Sequence, residues 1–185
     1  QHAAIVVVGD VAADTVRQEV QRAFGDWEGR AEPTREPHNA ARVDRTTVFL
    51  VDRPSAVQSE LRIGHVGVPR HHPDYYTLLV LNTLLGGAFT SRLNMSLREK
   101  HGFTYGVRST FAFRRAAGPF VIQTAVASDV TARAVEETLR VLRDVKENGV
   151  TEDEVRNARD YIAGTLPLQM QTTEHLAARI ADLHT

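Results

Sequence analysis

Eight histidines and no cysteine in 185 residues raise one question first: whether imidazoles and carboxylates here can hold a divalent metal. A helical zinc site needs two imidazoles on one face at i and i+4 with a carboxylate beside them, as in H-E-x-x-H or its inversion H-x-x-E-H. His71 and His72 are adjacent and run straight into Pro73. On regular structure their rings diverge, so a solvated loop is the expected setting. Residues 171–175 read Q-T-T-E-H, where Glu174 and His175 would complete the inverted motif if position 171 were histidine. It is Gln171, and a neutral amide is a poor donor to zinc. This segment reads as polar residues at a helix start. His2, His38, His65, His101 and His184 stand alone. No metal site is expected in this chain.

Other chemistries fare no better. Val8-Gly9-Asp10 ends a strand-like run before a helix, as phosphate loops do, but neither G-x-G-x-x-G nor G-K-[ST] follows. A serine nucleophile would need a G-x-S-x-G elbow, which is missing. One pair remains. Arg98 lies near the end of a predicted helix, and Tyr105 stands seven residues later at the opening of a predicted strand. A guanidinium fork and a phenolic hydroxyl on a stiff ring could grip the carbonyls of an extended peptide, or polarise one of them. Equally, Arg98 could complement the helix dipole beside a core tyrosine. Spacing leaves both readings open.

The elements that must position such a pair follow from pattern. Composition is 42% hydrophobic and 24% charged with a net charge of −1, which argues against disorder and leaves no basic field for nucleic acid. Without cysteine there is no disulfide frame, thiolate zinc site or cysteine nucleophile. No apolar run approaches the roughly 20 residues of a membrane span; the longest, Tyr75 to Leu85, is broken by Thr77 and Asn82. No signal peptide is visible, the chain reads as cut from a longer polypeptide, and the compartment stays open.

Residues 4–9 (A-I-V-V-V-G) predict a buried strand, and Val16, Val20 and Phe24 a helix that stops before Gly25. Residues 29–45, rich in Pro, Gly, Arg and Glu, read as a linker between a closing strand and helix at 1–28 and a domain at 46–185. That domain predicts strands at 46–52 and 57–68, helices at about 74–85 and 90–100 around Gly86-Gly87, and strands near 104–113 and 118–127. In the third strand Tyr105, Val107, Phe111 and Phe113 share one face at period two. Ala132, Val135, Leu139, Leu142 and Val145 mark a helix ending at Gly149. Thr151-Glu152-Asp153-Glu154 is a capping box for the next helix, and Leu176, Ile180 and Leu183 mark the last. The order does not alternate as βαβ units do. It predicts α+β: a mostly antiparallel sheet with helices packed on one face.

The segment 81–113 carries a more specific signal. L-L-G-G-x-F-x-S-R-L at 84–93 and L-R-E-K-x-G-x-T-Y at 97–105 join V-V-V-G-D at 6–10, F-G-D-W at 24–27 and D-R-P-x-x-x-Q-S-E-L at 52–61. Together, over essentially the whole chain, these resemble the insulysin/pitrilysin family of zinc metallopeptidases, which includes the mitochondrial processing peptidase, and within it the second, inactive domain. The resemblance implies a LuxS/processing-peptidase-like half that carries no zinc itself. Zinc would sit in a catalytic H-x-x-E-H half, in the same polypeptide or a separate subunit, and the two would close around a peptide substrate. It implies Arg98 and Tyr105 as substrate-binding residues, Gly86 and Gly87 as a flexible loop, and no catalytic residue in this chain alone. It further implies a 46–185 domain that stops short of its closing strand. The alternative is a structural or peptide-binding subunit with no proteolytic role. One departure is Ala12-Ala13, where relatives commonly place an acidic residue and a proline.

Overall fold

The computed structural model describes residues 3–27 and 44–183. In chain order the elements are α1 (Ala13–Phe24), β1 (Gln58–Val66), α2 (Tyr75–Asn82), β2 (Val107–Phe111), β3 (Pro119–Ala127), α3 (Thr131–Asn148), α4 (Glu152–Thr165) and α5 (Thr173–Asp182). They fall into two compact units, one holding residues 1–36 and 163–185 and the other residues 37–162. The predicted linker lies almost wholly outside the described residues.

In the first unit α1 begins and ends as its pattern predicts, although Ala12 at its N-cap makes no side-chain cap. Such a loss costs about 1 kcal/mol and leaves the helix intact. The strand expected at 4–9 is not formed: its residues belong to no helix or strand, and Ile5 and Val7 stay largely exposed. An apolar run becomes a strand where a neighbour supplies ladder partners; this unit is otherwise helical among the described residues. α5 starts on Thr172, whose hydroxyl accepts from the His175 amide at 3.1 Å. Glu174 and His175 therefore sit in a capped first turn.

The second unit is built on a three-stranded antiparallel sheet ordered β1-β3-β2. β3 lies in the centre, with Leu61 opposite Thr124, Arg62 opposite Gln123, and Arg108 opposite Gln123 from the other side. Along β3 burial alternates: Phe120, Ile122, Thr124 and Val126 face inward, while Val121, Gln123 and Ala125 face away. The inward face meets Leu85, Leu93, Leu97, Val130, Ala134 and Val141 in one core. All these partners come from helices or helical turns, so one sheet face is helix-covered, as α+β patterning predicts.

Several boundaries differ. Residues 46–52 pair with nothing among the described residues, and Val48 to Val51 are 84–92% exposed. The sheet presents them no ladder, and apolar character alone does not make one. β2 is shorter than 104–113, and Tyr105 precedes it instead of sharing the Val107 face. The helix from Arg92 to Lys100 is π-helical from Asn94 on, and α2 closes through a π-helical turn, Thr83–Gly87. In α3 the buried face is Ala134, Thr138 and Val141; Ala132 and Leu139 point outward. Leu142 and Val145 of the predicted stripe still pack against the core, so the buried face is rotated from that stripe and overlaps it, as contact with β3 and the 92–100 helix requires. Gly149, at φ 73°, ends α3 as expected, donating to Val145 O at 3.1 Å. The capping box forms too, with Thr151 N to Glu154 Oε2 at 2.8 Å and Glu154 N to Thr151 Oγ1 at 3.2 Å.

Candidate functional site

The uncovered face of the sheet and the turn after α2 enclose an open cleft of about 610 Å³. Its floor comes from alternate strand residues Glu60, Arg62, Arg108, Gln123 and Ala125; its rim comes from Gly86 to Phe89, Asn94, Tyr105 and Tyr161.

Tyr105 is 91% exposed on this rim. It stands at the apex of a short turn whose feet are tied down. Thr104 Oγ1 accepts from the Gly106 amide at 3.1 Å and lies 2.9 Å from the Gly106 carbonyl. Thr124, from β3, reaches Thr104 Oγ1 at 2.8 Å and Gly106 O at 2.9 Å. Buried Asn94 closes the next residue, accepting from Val107 N at 3.1 Å and donating to Val107 O at 2.9 Å. The phenol is thus aimed by a fixed turn and left free at its tip.

The predicted pair is only half assembled on the cleft. Arg98 is not among its lining residues. Its guanidinium carbon sits 4.1 Å from the ring centroid of Phe89, which does line it. Nη1 approaches Glu99 Oε1 at 3.4 Å yet makes no hydrogen bond among the described residues, although the atom is buried. A buried donor left unmade is costly. Gly86 and Gly87, expected as a flexible loop, line the cleft from within the π-helical turn Thr83–Gly87. At Gly86 a Cβ would fall 2.6 Å from Ser109 Oγ and 2.8 Å from Ser109 N, so close backbone approach demands glycine there.

Two ionic clamps hold the helices behind the sheet. Arg92 donates to Glu154 at 2.5 and 2.7 Å, to Asp144 at 3.0 Å and to Gly149 O at 3.1 Å. The Arg92 hydrogen bond, with help from Thr151, holds the Glu154 carboxyl down at about 2, while Arg92 itself is raised by Glu154. Glu137 is likewise held at about 2, first by Arg140, then by Ser96 and His101. Through Ser96 and His101, α3 grips the 92–100 helix.

Three of the described histidines have side-chain partners close at hand. His65 contacts Val66 O at 2.7 Å, His72 Nδ1 accepts from the Asp74 amide at 3.2 Å, and His101 stacks on Phe103. His71 and His72 occupy the turn before α2. Among the described residues no three His, Asp or Glu side chains are grouped to hold a metal. His2, His38 and His184 lie outside those residues. Sequence reasoning missed Asn94, Phe89, Arg62, Arg108 and Gln123. The outward half of the strand alternation could have flagged the last three.

Comparisons with known proteins agree with one another. The family model described as Peptidase M16 inactive domain matches residues 1–162. The uncharacterized zinc protease YmxG of Bacillus subtilis is 27% identical over 95% of this chain and 42% of its own length. An uncharacterized zinc protease of Streptomyces coelicolor is 30% identical over 97% of this chain and 40% of its own. The chain therefore spans about two-fifths of these relatives. Among solved structures, a protease from Helicobacter pylori superposes with a TM-score of 0.80 at 20% identity, over 95% of this chain and 43% of the other.

Proposed function

This chain belongs to the peptidase M16 inactive-domain family, and from that premise we propose that it is the substrate-contacting half of a two-part zinc metalloendopeptidase. The observation that carries the reading is Tyr105, 91% exposed on a turn pinned by Thr104, Thr124 and Asn94 at the cleft rim. A surface tyrosine with no task would not need such an anchored base.

In this reading an extended peptide lies over the open sheet face. Tyr105 donates its hydroxyl to a substrate carbonyl near the bond to be cut, stabilising charge that builds on that oxygen. Arg98, with a buried Nη1 still unbonded, supplies a second donor once Phe89 turns aside. The hydrolytic chemistry that zinc provides belongs to the H-x-x-E-H half, in the same polypeptide or in a separate subunit.

The test is reconstitution. This chain alone should bind no stoichiometric zinc and cleave nothing, and should yield cleavage when combined with an H-x-x-E-H half. Tyr105→Phe and Arg98→Ala should each lower kcat/KM of that assembly; unchanged values would remove the roles given to these residues. Peptide binding with no hydrolysis in any assembly would leave a peptide-holding subunit instead.

A further inference from the structure

The cleft floor carries a charge arrangement that the peptide-gripping role of Tyr105 does not require. Arg62 on β1 and Arg108 on β2 are both in register with Gln123 on β3, so the three form one straight cross-strand row. Residues paired across antiparallel strands point to the same face, which here is the face that β3 turns away from the core. All three line the cleft. Two strand spacings put the arginine Cα atoms about 9–10 Å apart.

Neither guanidinium has an ion pair or hydrogen bond among the described residues. Glu60 shares their face two positions before Arg62 and pairs with neither. Some arginines of the same unit are placed against carboxylates, Arg92 on Glu154 and Asp144 and Arg140 on Glu137, while others, such as Arg70 and Arg133, lie over aromatic rings. The row sets two like charges in line, with a neutral amide between them and neither guanidinium ion-paired among the described residues.

From this we infer that the Arg62–Gln123–Arg108 row selects an acidic side chain in the bound peptide. A carboxylate seated above Gln123 lies between two guanidinium forks and one amide donor, and forks of this kind match a carboxylate's two oxygens. A lysine at the same position meets two like charges. The inference rests on the peptide-binding reading above and adds substrate class to it.

The test uses three fluorescently labelled peptides identical except for a central Glu, Gln or Lys, titrated by anisotropy against this chain at low and high salt. The Glu peptide should bind about tenfold tighter than the Lys peptide, with Gln between, and the difference should shrink as salt is raised. R62Q/R108Q should abolish the order and R62E/R108E reverse it. Arg115→Gln, an exposed cation outside the cleft, should leave it intact. Equal affinities, no binding of any peptide, or a preference that survives R62Q/R108Q would each overturn the inference. Cleavage of the same peptides by the assembly with an H-x-x-E-H half is scored separately. Cleavage without charge preference sinks the acidic selectivity alone, and preference without cleavage sinks the peptidase reading alone.

Discussion

Arg92 and Arg98 stand at opposite ends of one short helical segment, and their surroundings treat them in opposite ways. Arg92 is 20% exposed and saturated, with two carboxylates and the Gly149 carbonyl taking its donors. Arg98 is 32% exposed, stacked against a mostly exposed Phe89, and keeps a buried nitrogen unbonded. The first arrangement ties the helix to α3 and α4. The second leaves the guanidinium with a 3.4 Å ion pair to its neighbour Glu99 and the Phe89 ring. Two arginines six residues apart differ because one end of the helix is enclosed by partner elements and the other borders open space. Residue type told nothing of this.

The comparison can be broken by separating activity from stability. The largest effect expected is on catalysis: in the assembled enzyme, Tyr105→Phe or Arg98→Met should lower kcat/KM by about 10²-fold or more, the scale for a lost transition-state donor. The melting temperature of either variant should change little, since Tyr105 is exposed and Arg98 gives up only a half-exposed ion pair to Glu99 and a ring contact with Phe89. A matching fall in stability would mean that Arg98 is structural like Arg92.

Arg92→Ala should do the reverse. It strands Glu154 and Asp144 and opens the junction at Gly149, at a cost of about 2–3 kcal/mol, reduced from the fully buried case because Asp144 is partly solvated. A thermal melt should show a fall of roughly 4–10 °C, with an intact Tyr105 turn.

Acid should probe the clamps next. Glu137 and Glu154 are held at about 2, below their ordinary 4.5. A depressed carboxylate binds fewer protons folded than unfolded, so its stabilisation is complete above about 4.5 and is lost as pH falls towards 2. Denaturation midpoints should therefore be flat from pH 7 to about 5 and drop below it, by about 2 kcal/mol in total after solvent screening. E137Q/E154Q should flatten that limb; a limb unchanged in the double variant would assign the acid sensitivity elsewhere.

The smallest effect sharpens the rule that surroundings outrank residue type. Leu139→Ser, on the outward face of α3, should shift stability by no more than about 0.5 kcal/mol. Ala134→Leu, on the fully buried face, should cost about 1–3 kcal/mol by overpacking. A leucine lost without consequence, beside a leucine gained at a penalty, is the outcome to look for by chemical denaturation.

Part of the fold was legible because its causes are local. Gly149 and the Thr151–Glu154 box stop one helix and start the next within a few residues. The strand expected near 118–127 is β3, and its inward residues Phe120, Ile122 and Val126 belong to the core. The runs at 4–9 and 46–52 misled for the complementary reason: a strand exists by pairing, and their patterns say nothing about whether a partner is present. Arg98 and Tyr105 were named as candidates through resemblance alone. Their placement was not legible, since Tyr105 turns away from the strand face that period two assigned to it, and Arg98 lies behind Phe89.

What the amino-acid order settled alone were caps, turn glycines, a two-residue strand period and the lack of any i, i+4 histidine pair around a carboxylate. Each rests on interactions spanning a handful of residues. Only the tertiary structure decided which face of α3 is buried, which arginine is clamped, and that Arg62 and Arg108 flank Gln123. These depend on strand register and on contacts far apart in sequence, such as Arg92 with Glu154, 62 residues away. Local pattern carries no information about such contacts until the chain has closed on itself.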